Sequence, residues 1–495
     1  PPEIDPVALD QIMTFWSVLP PRTPFKEIKT LAPGQMMIVE DGRVTIRSYW
    51  EWSFAEPGEY HSGSEEELAD QLRELLHDAT LIRLRSDVPV GAYLSGGLDS
   101  SILASLIDSF GDIRLKTFSI GFPGSNLDES EYQDEAVRQL SSEHCSVACR
   151  PENVAENFMR AMWHIESPIL RTAPVPMGIL SGLVRAQGYK VVLTGEGADE
   201  VFGGYDIFKE AKIRRFWARY PQSRIRPLLL KRLYPYLDIS RDQAQGYLQS
   251  FFGVGLDAPD AAHFSHLPRW TTTAKCKAFY SKGLIEELRD VDAYAALMES
   301  LPTNIGSWHD FNRGQYVESK TLMAGYLLSS QGDRMLMQNS IEGRFPYLDH
   351  RVIEFANALN PKYKMSVLRE KYLLRKAMKG RIPESILERH KQPYRAPDAD
   401  SFRDRKTAAF IDELLAEDAV KQAGLFDPLK VAMLHKKVLA GRASSAKDNM
   451  AFIGVLSTQA VHKLFIEGFF TNIDGHAEKQ LDNPRNRDYG VSHVG

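Results

Sequence analysis

The stretch Leu94-Ser-Gly-Gly-Leu-Asp-Ser-Ser101 constrains this chain more than any other. It follows the apolar run Val88 to Leu94, which reads as a short buried strand, and it precedes Ile102 to Ile107, which reads as a helix. A strand, a tight glycine turn and a helix N-terminus make an anion site. Gly96 and Gly97 lack a Cβ, so the backbone bends sharply and approaches a ligand closely. The free N–H groups and the dipole of the first helical turn favour negative charge. Ser95, Ser100 and Ser101 add hydroxyl donors, and Asp99 is a hard oxygen ligand suited to Mg2+. Two glycines with Asp99 as a helix cap would describe an ordinary turn; Ser-Gly-Gly-x-Asp-Ser between strand and helix reads as a phosphate site. No Gly-Lys-Ser/Thr follows, so this is not a Walker A loop.

Downstream, Thr117 to Gly121, His144 to Cys149 and Tyr189 to Thr194 read as strands. Helices over Asp128 to Leu140, Asn153 to Trp163 and Val175 to Gln187 alternate with them. Such alternation implies an α/β fold with a parallel sheet and helices on both faces, in which ligands bind beyond the carboxyl ends of the strands. The glycine loop, the Ile120-Gly121 turn and the loop after Thr194 all fall at such ends. The last of these, Thr194-Gly-Glu-Gly-Ala-Asp-Glu-Val-Phe-Gly-Gly-Tyr205, crowds Glu196, Asp199 and Glu200 into one turn. Like charges so close repel unless a cation or hydrogen bonds compensate. An acidic helix cap is the simpler reading; Asp99 and Asp199 on neighbouring loops also form a pair able to hold Mg2+.

Leu94 to Ser101 resembles the PP-loop of ATP pyrophosphatases, which cleave ATP to AMP and pyrophosphate. With Val88-Pro-Val-Gly91 before it, the segment is similar to the glutamine-hydrolysing asparagine synthetases. Three further blocks carry the resemblance in the family's order. Pro21-Arg-Thr-Pro-Phe-Lys-Glu-Ile-Lys-Thr-Leu-Ala-Pro-Gly34 matches the close of the family's N-terminal glutaminase domain. Gln331 to Asp349 meets every fixed position of Asp-Arg-x-x-Met-x-x-Ser-x-Glu-x-Arg-x-Pro-x-Leu-Asp, and Arg389-His-Lys391 matches an Arg-x-Lys element. The resemblance implies an adenine nucleotide alpha hydrolase-like PP-loop fold with a helical C-terminal part and a small N-terminal β remnant. It implies ATP and Mg2+ as cofactors, with ATP held by Leu94, Ser95, Gly96, Gly97, Asp99, Ser100, Ile120, Thr194 and Gly195, and the metal by Asp99 and Asp199. Glu196 falls on the family's proposed general base. Lys391 falls on a lysine that reaches pyrophosphate and the adenylate, and Lys371 matches a second cation position. Asp333, Arg334, Asn339, Glu342, Arg344 and Asp349 read either as a structural ion-pair network or as residues that shape the acceptor pocket indirectly. Gln392-Pro-Tyr-Arg-Ala-Pro-Asp398 departs from the glycine- and phenylalanine-rich loop of the primary-metabolism enzymes.

Domain organisation follows. Residues 1–52 read as the C-terminal remnant of a glutaminase domain, with a helix from Asp10 to Val18 and a hairpin around Glu40-Asp-Gly42. Ser53 to Ser64 reads as a polar linker, residues 53–470 as the synthetase domain and 471–495 as a disordered polar tail. The capping box Ser64-Glu-Glu-Glu67 opens a helix with Leu68, Leu72, Leu75, Ala79 and Ile82 on its core face. Lys212 to Arg219 reads as a solvated helix face, Tyr234, Tyr236, Phe251 and Phe252 as core, and Ala419 to Gly441 and Asn449 to Phe469 as closing helices. The opening Pro1-Pro-Glu, without an initiator Met, reads as that of a fragment or processed product.

Composition excludes little else. In 495 residues with a net charge of −5 there is no electrostatic reason for nucleic acid or an anionic membrane as partner. Cys145, Cys149 and Cys276 form neither a disulfide framework nor a zinc signature. No apolar run approaches the roughly 18 residues of a membrane span, and with no signal peptide the cytoplasm is the default.

The expected function is an ATP-dependent amide-forming ligase. A carboxylate, first of all the aspartate side chain, is adenylated with release of pyrophosphate, and ammonia derived from glutamine then displaces AMP. The glutaminase portion is expected upstream or as a separate chain, and the resemblance allows a homodimer. The alternatives are a tailoring amidotransferase, a β-lactam synthetase or lasso-peptide cyclase relative acting on another acid, and a non-catalytic nucleotide-binding scaffold.

Overall fold

The computed structural model describes residues 2–494 except 112–114, 126, 141, 235–245, 247–248, 393, 405 and 470–491. Its centre is a sheet of five parallel strands: β3 (Val90–Tyr93), β4 (Lys116–Gly121), β5 (Glu143–Ala148), β6 (Val191–Leu193) and β7 (Glu342–Arg344). Their order is β5-β4-β3-β6-β7, and β8 (Ser492–Val494) adds an antiparallel edge to β5. The chain therefore runs outward from β3 through β4 and β5, then returns to place β6 on its other side. The carboxyl ends of β3 and β6 open a crevice at this reversal. Strand β7 comes from the Gln331–Asp349 segment, and the Thr194 N–H donates to Arg344 O at 3.0 Å, so this segment props the loop after β6.

Apolar cores cover both faces of the sheet. One side carries α2 (Glu65–Arg83) and α3 (Leu98–Asp108), where Leu72, Leu76, Ile102 and Leu193 are fully buried. The other carries α5 (Pro151–Ile165) and α6 (Pro174–Ala186), with Phe118, Phe158, Leu183 and Val192 fully buried. Helix α2 starts at the expected capping box, with the Ser64 N–H donating to Glu67 Oε2 at 2.7 Å and the Glu67 N–H to Ser64 Oγ at 3.3 Å. Its core stripe is Leu68, Leu72, Leu76 and Ala79, while Leu75 is half-buried and Ile82 is exposed. All three cysteines are buried, and none is in a disulfide. No helix among the described residues is long and apolar enough to cross a membrane.

Several local expectations shift. The first helix, α1, spans Pro6–Phe15 rather than Asp10 to Val18, because Asp5 caps it and Pro6 takes its first position. Leu9, Ile12 and Met13 of α1 are buried in the core beside α5 and α6. The hairpin is as expected, β1 (Gln35–Glu40) pairing with β2 (Arg43–Ser48). Asp128 does not cap the helix after β4; it accepts from Phe122 N and Ser130 Oγ, and the helix α4 begins at Ser130. The stretch Ala419 to Gly441 is two helices, since Gly424 at φ 72° ends the first and Asp427 with Pro428 starts the second. Phe252 is core and Tyr234 and Phe251 pack against it, while Tyr236 lies outside the described residues.

The solvated face expected for Lys212 to Arg219 is the clearest error. Within α8 (Asp206–Ala218), Arg214 is fully buried, donating to Phe252 O at 2.8 Å, to Phe264 O at 2.7 Å and to Val254 O, with its guanidinium 4.0 Å over the Phe264 ring. It gathers three carbonyls that no helix or strand satisfies. We expect Arg214→Met to destabilise the fold by about 3 kcal/mol or more, through carbonyls left unpaired. Exposed Arg219→Ala is expected to change it by less than about 0.5 kcal/mol. Chemical denaturation of the two variants side by side checks the contrast.

Candidate active site

The two signature loops meet at the crevice. After Tyr93 the chain turns through Ser95-Gly96-Gly97 into α3, with Gly96 at φ 73° and with backbone atoms of Tyr132 and Gln133 only 2.7 Å from where its Cβ would stand. Only glycine fits there. The Ser100 hydroxyl accepts from Ser95 N at 3.1 Å and lies 3.0 Å from the Ser95 hydroxyl, so the turn is held from within. After β6, the Thr194 hydroxyl accepts from Glu196 N at 3.3 Å. Gly195 is the point of touch between the loops, since a Cβ there would stand 3.1 Å from both Asp99 Cβ and Ser100 N.

This contact brings Asp99 and Asp199 together, and two lysines from the C-terminal half close on them. Lys371 Nζ lies 2.6 and 2.7 Å from the Asp99 oxygens and 2.6 Å from Asp199 Oδ1. Lys391 Nζ lies 2.7 Å from Asp199 Oδ2 and 3.8 Å from Asp99 Oδ2. Lys371 precedes the helix α10 (Tyr372–Ala377) and sits at φ 52°, a left-handed conformation that non-glycine residues rarely take, held by the ion pairs at the tip of its buried side chain. Three carboxylate oxygens thus surround one cationic point. Carboxylate oxygens of this kind would also suit a hard cation. Among the described residues no group of three His, Cys, Asp or Glu side chains could hold a metal unaided.

The three crowded carboxyls take three different states. Burial alone would raise Asp199, but Lys371 and Lys391 more than offset this and hold it down at about 2. Burial pushes Glu196 up to about 7; Lys391 pulls it down, while Asp199 and Asp99 push it up. Glu200 is pushed up to about 8 by burial and by the charges of Asp199 and Glu196, while its Oε1 accepts from the Tyr205 hydroxyl at 2.8 Å. Burial opposes the charge on Lys391, yet Asp199 and Asp99 hold its pKa well above the usual lysine range.

Of the residues expected from sequence, Asp99, Asp199, Lys371 and Lys391 form one ion-paired cluster. Glu196 lies within its field, and Ser95, Gly96, Gly97, Ser100, Thr194 and Gly195 form the walls. Leu94 contributes only backbone, because its side chain is buried in core and its carbonyl accepts from Ser119 Oγ. The Ile120 carbonyl accepts from Gln133 Nε2 at 3.1 Å. The charges of Gln331 to Asp349 pair structurally: Arg344 with Glu342 at 2.7 Å, Asp349 with Arg83 at 2.8 Å and Arg334 with Glu166 at 2.6 Å.

Sequence reasoning missed the supports. Arg389 donates to Gly96 O at 3.1 Å, pairs with Glu129 and lies 3.6 Å over the Tyr132 ring, clamping the glycine turn. Tyr347 donates to Asp99 O at 3.1 Å, and Gln315 Nε2 to Glu200 O at 2.6 Å and Val201 O at 2.9 Å. Arg389 stands two residues before Lys391 and was visible as a charge; its stacking partner was not.

The asparagine synthase family model matches residues 71–463 of the chain. The chain is 32% identical over 396 residues to asparagine synthetase [glutamine-hydrolyzing] 1 of Bacillus subtilis, covering 80% of this chain and 60% of that protein. It is 29% identical over 408 residues to the amidase chyE of Penicillium rubens, covering 76% and 59% respectively. To a putative asparagine synthetase [glutamine-hydrolyzing] of Mycobacterium tuberculosis it is 25% identical over 473 residues, covering 94% and 68%. The chain thus spans about 60% of the length of the first two of these relatives.

A stability signature follows from Glu200. Its folded-state pKa of about 8 lies above the ordinary 4.5, so its contribution is fully present below about 4.5 and is lost as pH rises through 8. Glu200→Gln, which keeps an acceptor for Tyr205, is expected to melt with the wild type near pH 4.5 and progressively above it toward pH 8.5. Thermal melts across that range check this.

Proposed function

The chain belongs to the asparagine synthase family, and from that premise we propose that it couples ATP cleavage to amide formation in two steps. In the first, a carboxylate attacks the α-phosphorus of ATP, forming the acyl–AMP anhydride and expelling pyrophosphate. In the second, ammonia attacks the acyl carbon, gives up a proton to Glu196, and AMP leaves with the electrons of the broken C–O bond. The observation that carries this reading is the convergence of Asp99, Asp199, Lys371 and Lys391 on one point beside a carboxyl poised near 7. A base is most effective when its pKa lies near the working pH.

The roles divide by charge state. Asp199, kept ionised, and Asp99 would hold Mg2+, which supplies neutralisation of phosphate charge when bound. Lys371 and Lys391 offset the charge that develops on departing pyrophosphate. The glycine turn and the N-terminus of α3 receive the phosphate chain, and the Ile120 strand end and Gly195 position the nucleotide. A non-catalytic scaffold has no use for a half-buried carboxyl held at the edge of ionisation, and this argues against that alternative.

The acceptor in this reading is the aspartate side chain, following the name of the bacterial relatives. The amidase among the relatives and the divergent loop Gln392 to Asp398 favour a second reading, in which the same chemistry acts on another acid. Ammonia comes from glutamine hydrolysed by a glutaminase portion upstream or in a separate chain. The exposed hairpin supports this, because Val39, Val44 and Ile46 are 63%, 61% and 51% exposed on a two-stranded ribbon that needs a covering body. A cytoplasmic setting and a homodimer belong to the same proposal.

Labelled pyrophosphate is expected to exchange into ATP only when a suitable acid is present; its failure with every acid would sink the adenylation step. Glu196→Gln should keep that exchange while lowering amide formation from ammonium by about 10²–10⁴-fold. In the wild type, amide formation should rise with pH along a limb centred near 7, where Glu196 ionises, and the variant should lack that limb. Equal loss of both half-reactions in the variant would remove Glu196 from the role of base.

A further inference from the structure

The ammonium of Lys371 stands where a cation bridging the two aspartates would stand. Its Nζ donates to Asp99 Oδ1 at 2.6 Å and Oδ2 at 2.7 Å, and it lies 2.6 Å from Asp199 Oδ1. The lysine side chain is only 2% exposed, so the charge has little water to share it. Asp199 Oδ1 is itself buried and accepts no hydrogen bond. Its lone pairs are met by charge alone, a contact that a metal ion makes as readily as an ammonium.

The seat is built around that side chain. Gly204 follows α7 (Ala198–Phe202), and a Cβ there would stand 1.9 Å from Asp199 Oδ1 and 2.3 Å from Lys371 Cε, so a side chain at this position would close the seat. Gln315 of α9 (Asp310–Glu318) holds α7 by the carbonyls of Glu200 and Val201. The Lys371 backbone is pinned on either side. Before it, Glu370 pairs with Lys209 at 2.7 Å and with Arg375 at 2.8 Å; after it, the Arg375 N–H donates to Lys371 O at 2.9 Å. The freedom left to Lys371 lies in the rotations of its side chain.

Charge decides what enters. Two aspartates face two lysines, with Lys391 Nζ 2.7 Å from Asp199 Oδ2. A dication arriving alone would add its charge beside two ammonium groups and compete with one of them for the same oxygens. The displaced ammonium would then be left in a buried setting without an anion. The metal would also lack ligands, because among the described residues no third His, Cys, Asp or Glu completes the pair. A triphosphate removes both obstacles. Its oxygens give the metal the ligands missing from the chain, and its negative charge gives Lys371 and Lys391 new partners.

We infer that Lys371 is a built-in counter-cation that shuts divalent metal out of the Asp99–Asp199 pair until a nucleoside triphosphate arrives, so that metal and nucleotide enter together. This rests on the proposed use of the pair by Mg2+ and ATP, and adds to it an order of binding.

The test follows metal binding rather than turnover. Mn2+ stands in for Mg2+, because electron paramagnetic resonance separates its free and bound forms. It is titrated into the full chain, into Lys371→Met and Lys371→Arg, and into each with Asp199→Asn added; only binding that Asp199→Asn removes is counted. Without nucleotide, the wild type should bind at least about tenfold more weakly than Lys371→Met, and Lys371→Arg, which keeps the charge, should resemble the wild type. Adding α,β-methylene-ATP, which cannot be cleaved at the reacting bond, should bring Mn2+ to the wild-type pair, with a spectrum distinct from that of the metal–analogue complex in buffer. Melting temperatures give a reading that needs no variant: Mg2+ alone should leave that of the wild type unchanged, and Mg2+ with the analogue should raise it. Nucleotide-free binding by the wild type as tight as that of Lys371→Met, or a rise in its melting temperature with Mg2+ alone that Asp199→Asn abolishes, overturns the proposal. Exclusion that Lys371→Met relieves but the analogue does not keeps the counter-cation and rejects the use of the pair by Mg2+ and ATP. Analogue-driven binding on top of tight nucleotide-free binding keeps that use and rejects the exclusion.

Discussion

Two buried carboxylates balanced against two lysines hold the carboxyl edge of this sheet together. Asp99 and Asp199 come from segments that follow adjacent strands, and Lys371 and Lys391 offset the repulsion between them. The lysines lie far along the chain, so the pairing also fixes the C-terminal half against the sheet. Removing one partner would leave an uncompensated buried charge, which typically costs about 3–5 kcal/mol. In the proposed reaction this arrangement would be a form of preorganisation, with the groups that meet phosphate charge in place before any ligand arrives.

Around that cluster the same residue type is tuned to different ends by position alone. Asp199 touches both lysines and stays ionised. Glu196, three residues earlier, lies beyond direct contact, so burial dominates and leaves it near 7. The Glu200 carboxyl accepts from the Tyr205 hydroxyl and is pushed to about 8 by burial and neighbouring charge. One short turn thereby carries carboxyls in three different protonation ranges, which is how pKa tuning can separate roles among neighbouring carboxyls.

Much of this was legible in the sequence because the deciding signals are local. The glycine turn, the apolar strands and the capping box at Ser64 are properties of consecutive residues, and the alternation of strand and helix predicts the parallel sheet. The signals that failed were those in which tertiary context outweighs composition. Arg214 reads as surface by residue type, yet three unpaired carbonyls from a distant loop draw it inside. The charged run from Gln331 to Asp349 hides the edge strand β7, because Glu342 and Arg344 satisfy each other at the rim. Lys371 was readable as a cation near the site. Its place between the two aspartates depends on a left-handed backbone that no pattern announces.

The contact at Gly195 ties the two signature loops to one another. A Cβ there would stand 3.1 Å from both Asp99 Cβ and Ser100 N, so neither loop can shift without pushing the other. The crevice at the ends of β3 and β6 therefore behaves as one rigid jaw, and a change that widens it at one loop is passed on to the second.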